Sequence, residues 1–82
     1  MVETRVALIA ILIKDINASA KINEILHEYA EFVIGRMGLP YHKKKINIIS
    51  VALDAPQDKI SAISGKIGSL KGVSTKTTYS DF

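Results

Sequence analysis

Residues 35–41 carry the side chains whose types and spacing best suit binding chemistry. The segment reads Gly-Arg-Met-Gly-Leu-Pro-Tyr, and each glycine inside a strand costs about 0.5–1 kcal/mol relative to alanine. That loss is explained if a ligand or a partner backbone approaches closely, and an arginine supplies a planar fork of donors suited to a carboxylate or phosphate. We therefore predict a contact surface for a small ligand or a protein partner, with Arg36 as anchor, comprising Gly35, Arg36, Met37, Gly38 and Tyr41.

An alternative interpretation of this segment needs no ligand. The glycines then belong to the bulged end of an edge strand that leads into a turn, and Arg36 pairs with a nearby acid such as Glu31. Loss of binding in a folded Arg36→Ala protein would support the contact surface. A change in stability or assembly, without a separate binding defect, would support the ion pair.

Metal binding is not expected. The chain has two histidines, His27 and His42, and no cysteine, and a zinc site needs more ligands than two histidines supply. We expect His27 on a helix surface and His42 in a turn. The sequence therefore predicts no disulfide, no tightly bound transition metal and no cofactor.

Catalysis is not expected either. No serine has an evident base and acid, and Asp15 and Asp54 are better explained as residues at the entry to helices. The segment 65–68, Gly-Lys-Ile-Gly, lacks the spacing of a phosphate loop, and Lys66 falls inside a predicted helix. We predict that the protein is not an enzyme.

The run Lys43-Lys44-Lys45 is the densest basic feature of a chain whose formal charge is only +3. Nucleic-acid-binding domains cluster their positive charge on one face. We interpret the run as a solvated turn that keeps the adjoining edge strand from pairing with neighbours. Direct nucleic-acid binding through these lysines is the disfavoured alternative.

Four segments are predicted to be strands. Residues 4–13 and 46–53 are apolar on both alternating faces, which is typical of strands at the centre of a sheet. Residues 31–39 and 73–79 are interrupted by glycine or rich in polar side chains, which favours edges.

Two helices lie between these strands. Asn17 or Ser19 caps the first, which should end near Ala30. Pro56 suits the first turn of the second, and Gly72 suits its termination. Apolar residues at helical spacing form the two buried stripes: Ile22, Ile25, Leu26 and Tyr29, then Ile60, Ile63, Ile67 and Leu70.

The order βαββαβ predicts an α+β, ferredoxin-like sandwich, with a four-stranded antiparallel sheet and two helices on one face. The other face would be bare in a monomer, and its apolar residues would mark an interface. We therefore expect a homo-oligomer, a dimer or tetramer, formed through the open sheet face or the sheet edges. The alternation leaves open whether the Ile9/Ile11 set or the Leu8/Leu12 set faces the helices.

A chain of 82 residues is expected to form one domain, 1–82, whose small core needs support from partner subunits. The apolar run 6–13 is too short to span a membrane. It resembles a signal-peptide core, but cleavage would remove the most regular strand. We expect a cytoplasmic protein with no membrane partner.

Three segments, 22–29, 34–41 and 46–50, resemble the small regulators associated with iron-only hydrogenase systems in anaerobic bacteria. The resemblance covers nearly the whole chain, and residues 35–41 are its most specific part. It implies an ACT-like, ferredoxin-like fold and a regulatory role.

A more distant similarity, to the C-terminal domain of nickel-responsive repressors, involves the helix end around His27 and the segment 70–73. Aligned through His27, the chain keeps one nickel-ligand position, while two later histidine positions fall on Gly38 and Pro40 and the cysteine is missing. The similarity therefore implies no nickel site of that type. No ribbon-helix-helix segment precedes the first strand, so DNA binding by that route is not expected.

The residues and the resemblance together suggest an ACT-like regulatory domain, similar to a transcriptional regulator, that senses a small ligand or binds a protein partner. The alternative is a non-catalytic structural or assembly protein for a metalloenzyme system, with no ligand.

Overall fold

The computed structural model describes residues 3–82. Its strands and helices follow in the order β1 (Arg5–Ile13), α1 (Ala18–Glu28), β2 (Val33–Tyr41), β3 (Ile46–Ala55), α2 (Gln57–Gly68) and β4 (Val73–Tyr79). Short 3-10 turns at Ala30–Phe32 and His42–Lys44 flank β2. This confirms the βαββαβ order expected from the sequence.

The four strands form one antiparallel sheet in the order β2-β3-β1-β4. β1 pairs with β3 from Arg5 opposite Ala55 to Ile13 opposite Asn47, and with β4 from Ala7 opposite Tyr79 to Ile13 opposite Val73. The two strands that are apolar on both faces are therefore central, and β2 and β4 are the edges, as in a ferredoxin-like sandwich.

The core lies between the two helices and one face of this sheet. Ile9, Ile11 and Ile13 of β1 are fully buried there, while the intervening Leu8 and Leu12 are exposed on the other face. Since neighbouring residues of a strand point to opposite faces, the structure decides which apolar set of β1 faces the helices. The core side chains from the rest of the fold are Ala18, Ile22, Leu26, Ile49, Val51, Leu53, Ala55, Ile60, Ile63 and Ile67.

Element boundaries differ from the predicted ones mainly around β2. The first helix ends at Glu28 rather than near Ala30, and the 3-10 turn Ala30–Phe32 takes up the predicted start of the strand. β2 then continues past Pro40 to Tyr41. Pro40 is tolerated because an edge strand does not need every backbone N–H for its ladder.

The start of α1 is held differently from the expected capping arrangement. Asn17 is the N-cap residue, but its side chain makes no capping hydrogen bond. Instead, the Asn17 backbone N–H donates to the Asp15 carboxylate at 3.0 Å. This places Asp15 in the turn between β1 and α1, which agrees with its predicted role at a helix entry.

An irregularity in β2 changes which side chains face the helices. Val33 lies opposite Leu53 and Gly35 lies opposite Ala52, so Ile34 is an extra residue at a bulge. A one-residue shift in register moves every later side chain to the other face. The bulge therefore reverses the alternation for the whole segment that follows.

Within residues 3–82, no helix is long and apolar enough to cross a membrane.

Candidate functional site

The five residues predicted to form one contact surface lie on two different faces of β2. Arg36 lies opposite Val51, and Gly38 lies opposite Ile49; both partners are buried against the helices. Gly35, Met37 and Tyr41 lie opposite residues of the uncovered face: Ala52, Ser50 and Ile46. Because opposed residues share a face, the predicted contact surface divides into two.

The first of these surfaces, here called the open-face surface, is formed by exposed apolar side chains of the sheet. They come from β1 and β2, the two strands on either side of β3, and comprise Val6, Leu8, Leu12, Met37, Leu39 and Tyr41. Opposed pairs link the strands, since Leu39 lies opposite Ile48 and Ile48 lies opposite Leu12. Their exposed fractions range from 43% for Tyr41 to 62% for Met37, so each of these side chains is about half exposed to solvent.

Charge is sparse on this face. Lys76 on β4 lies opposite Ala10, and Asp54 on β3 lies opposite Val6 near the other end of β1. Between these two residues, the remaining positions of the face are apolar or carry small uncharged groups such as Ser50 and Thr78. The open-face surface can therefore be desolvated without burying many charges.

The second surface, here called the α1–β2 groove, lies on the helix-bearing side, where α1 leaves the edge strand uncovered. The Arg36 guanidinium Nη2 donates to the Asn23 carboxamide Oδ1 at 2.8 Å. The ion pair found within residues 3–82 joins Lys66 to Glu28, and no carboxylate lies within 4.0 Å of Arg36. The alternative in which Arg36 pairs with Glu31 is therefore not what the structure shows.

The rest of the groove adds further polar groups. Ser19 and Asn23 are one helical turn apart on α1, and Asn47 extends from β3 opposite Pro40. With Arg36 and Gly38 they line a cavity of about 290 Å³, whose apolar walls include Pro40 and Ile49. The groove therefore presents amide, hydroxyl and guanidinium groups, and none of its lining residues is acidic.

Neither Gly35 nor Gly38 is required by the packing of this chain. A methyl group added at either position would meet no other atom within 4 Å apart from chain neighbours. Both lack a positive φ; within residues 3–82, Gly72 is the glycine that has one. The two glycines therefore leave open space, Gly35 on the open face and Gly38 at the groove.

The two histidines and the lysine run lie in the elements predicted from the sequence. His27 is exposed on α1, and His42 lies in the 3-10 turn before Lys45. Across residues 3–82, no group of three or more His, Asp or Glu side chains could hold a metal ion.

Sequence reasoning missed Ser19, Asn23 and Asn47 as groove residues and Leu39 as part of the open-face surface. Ser19 and Asn23 carried a weak signal, since their spacing places both on one side of α1 beside the buried Ile22. No local signal links Asn47 to Arg36, because the pairing of β2 with β3 brings them together.

Comparison with solved structures supports the fold over nearly the whole chain. The uncharacterized protein TM1266 from Thermotoga maritima is 33% identical, with a TM-score of 0.89 over 94% of this chain and 98% of the other. Two less similar structures share the fold alone. An unknown protein from Galdieria sulphuraria is 13% identical, with a TM-score of 0.72 over 98% of this chain and 47% of the other. A formyltetrahydrofolate deformylase from Pseudomonas putida is 11% identical, with a TM-score of 0.68 over 94% of this chain and 30% of the other.

Comparison with curated proteins finds no match. A family model does match, over residues 5–77. This range includes the four strands and both helices, apart from the last two residues of β4. The family is TM1266-like, described as "Iron-only hydrogenase system regulator, putative". With the 33% identity to TM1266 over nearly the full chain, the match confirms the resemblance seen in the sequence: the chain belongs to the TM1266-like family of iron-only hydrogenase system regulators.

Proposed function

We propose that this chain is a non-catalytic regulatory domain of an iron-only hydrogenase system, and that it acts in the cytoplasm as a homo-oligomer assembled through the open-face surface. Family membership supports the hydrogenase context. The observation that supports the assembly is the uncovered apolar face of a sheet whose other face carries both helices.

The size of the open-face surface favours a stable interface. Its six large side chains are about half exposed, so together they offer an apolar area on the order of several hundred Å², the scale at which exposed patches mark interaction sites. A standard protein interface buries about 800 Å² on each partner. The surface therefore supplies a large part of what one side of a specific interface needs.

The composition of this surface favours a second copy of the chain as its occupant. Interfaces between identical subunits are more apolar than those of transient partners, and here Lys76 and Asp54 are the charged residues of the face. A two-fold interface places the same patch on both subunits. Each copy carries a net charge of +3, so two copies repel each other. This repulsion is weakest when they meet through a face that carries few charges.

Replacing Leu12 with aspartate should dissociate the oligomer. The side chain lies on the open face, opposite Ile48 and Ser74, so a carboxylate there would have to be buried unpaired in the interface. Light scattering coupled to size exclusion, at micromolar protein concentration, should show the wild type as at least a dimer and Leu12→Asp shifted toward one chain.

Ile16→Asp provides the matched control. Ile16 is also an exposed aliphatic residue, but it lies in the connection between β1 and α1 rather than on the sheet. We expect that variant to keep the wild-type mass, and circular dichroism should show both variants folded. A wild type that is monomeric at these concentrations, or a Leu12→Asp protein of unchanged mass, would overturn the proposed assembly.

A regulator and a purely structural protein of the same system differ in one testable property: the regulator binds a small ligand, and the structural protein does not. A regulator that senses a metabolite should gain thermal stability when that metabolite binds, because a ligand selective for the folded state raises the unfolding free energy. An assembly protein would self-associate in the same way and show no such shift. Thermal unfolding with a small carboxylate such as butyrate, compared with sodium chloride at equal ionic strength, therefore tests the regulatory role: a raised unfolding midpoint supports a ligand-sensing regulator.

A further inference from the structure

We infer that the α1–β2 groove is a binding site for a small organic carboxylate. The cavity also reaches Leu39 and Ile48 of the open face, but the inference does not depend on the proposed assembly, because the groups that would bind the anion lie on the helix-bearing side of β2. The two can therefore be tested, and can fail, separately.

The groove exists because of where α1 lies. α1 packs its buried residues, Ala18, Ile22 and Leu26, onto the core, while every residue of β2 after Val33 remains exposed. The strip between the helix and the edge strand is therefore open, and the cavity of about 290 Å³ lies along it. That volume is at the lower end of ligand pockets, which indicates a ligand of few atoms.

The chemistry of the lining points to an anion. The hydrogen bond to Asn23 Oδ1 uses one N–H of Arg36 and leaves the other guanidinium donors without a carboxylate partner. Because Asn23 accepts through its oxygen, its own NH₂ group is available for a ligand. The Ser19 hydroxyl and the Asn47 carboxamide add donors in the same cavity.

A carboxylate fits this set better than a more highly charged group. Arg36 is the one cation among the cavity's lining residues, which matches a single negative charge, and a guanidinium binds a carboxylate with two parallel hydrogen bonds. Pro40 and Ile49 give the cavity apolar walls against which a short carbon chain can pack. A phosphate would leave these walls unused and would carry more charge than one guanidinium neutralises.

Gly38 supports a binding site in the groove independently of the polar side chains that line it. The glycine faces the helix-bearing side, as shown by its partner Ile49, and a Cβ there would have no atom within 4 Å apart from its chain neighbours. Neither its φ nor the packing calls for glycine, although glycine weakens a strand. A ligand that approaches the backbone at this point accounts for the missing side chain.

The binding test uses the full chain with butyrate as the probe, inorganic phosphate as a second probe, and sodium chloride at equal ionic strength as the control. We expect butyrate to cause saturable changes in the backbone amide shifts of Asn23, Arg36, Gly38 and Asn47 in ¹⁵N-labelled protein. Arg36→Ala should weaken the apparent affinity about tenfold or more, since it removes the charge-assisted hydrogen bonds.

Gly38→Val is the second variant, because the Cβ has open space around it, valine favours strands, and its side chain would occupy the groove. It should fold with at least wild-type thermal stability and lose butyrate binding. Gly35→Val is the matched control, since Gly35 has the same open surroundings but faces the other side of the sheet, and it should bind butyrate as the wild type does.

Three outcomes would overturn the inference. The first is that neither butyrate nor phosphate causes saturable shifts. The second is butyrate binding that survives both Arg36→Ala and Gly38→Val. The third is saturable phosphate binding without butyrate binding, which would exclude a carboxylate site. Should Arg36→Ala fail to fold, Asn23→Ala removes a second donor from an exposed helix position, where alanine favours the helix, and should weaken binding in the same direction.

Discussion

Replacing Ile11 with alanine should lower the free energy of unfolding by about 2–5 kcal/mol, the range for truncating a large buried aliphatic side chain. Ile11 is fully buried on the central strand, opposite Ile49 on one side and Thr75 on the other. A small domain has a total stability of about 5–15 kcal/mol, so this single change removes a large part of it. Urea unfolding followed by circular dichroism measures the loss, which should be the same at every protein concentration.

Leu12→Ala is the adjacent comparison, one residue along the same strand. Leu12 is 45% exposed on the open face, so its truncation leaves no cavity in the core. If the open face is an interface, any destabilisation by Leu12→Ala should grow with protein concentration, because oligomer formation contributes to stability by mass action. Equal, concentration-independent losses at both positions would contradict the assignment of the two faces.

Replacing Gly72 with alanine should destabilise the fold by roughly 2–3 kcal/mol. Gly72 has a φ of +75°, and a Cβ there would lie 2.7 Å from the Asp15 Cβ and 3.2 Å from the Asp15 backbone nitrogen. The left-handed conformation costs a residue with a Cβ about 1–2 kcal/mol, and the contact with Asp15 adds to this. The Gly72 carbonyl also accepts a hydrogen bond from the Lys14 backbone N–H at 2.8 Å, so a shift away from Asp15 would strain that bond.

Gly65→Ala is the matched control and should have the opposite sign. Gly65 lies inside α2, is exposed, and has no atom within 4 Å of the position of an added methyl group. Alanine in an exposed helix interior is up to about 1 kcal/mol more stable than glycine. The midpoint of urea unfolding should therefore rise for Gly65→Ala and fall for Gly72→Ala, and a loss of stability in both would contradict this account.

The bulge at Ile34 connects the two candidate surfaces. Val33 faces the helices, and without the extra residue the alternation would place Met37, Leu39 and Tyr41 on that same side and Arg36 on the open face. The bulge instead places the apolar side chains of β2 beside Leu12 and Ile48 and turns Arg36 toward Asn23. One backbone irregularity thus separates an apolar surface suited to a second copy from a polar groove suited to an anion.

The sequence by itself determined the elements and their arrangement. Two segments apolar on both faces indicated the central strands, because edge strands are commonly marked by polar side chains or glycine, and the helical spacing of Ile60, Ile63 and Ile67 indicated a buried stripe. The order of these elements, with right-handed crossovers, leaves the ferredoxin-like sandwich as the arrangement expected. Gly35, Arg36 and Gly38 were also identifiable as unusual for a strand.

Only the tertiary structure decided which face each side chain occupies. In β1 both alternating sets are apolar, so hydrophobicity could not say whether Ile11 or Leu12 faces the helices; the packing of α1 and α2 onto the sheet does. In β2 the bulge at Ile34 reverses the alternation, and a pattern of period two cannot reveal an inserted residue. The groove joins Asn23 on a helix, Arg36 on an edge strand and Asn47 on the next strand. These residues are distant along the chain, and the pairing of β2 with β3 beneath α1 brings them together.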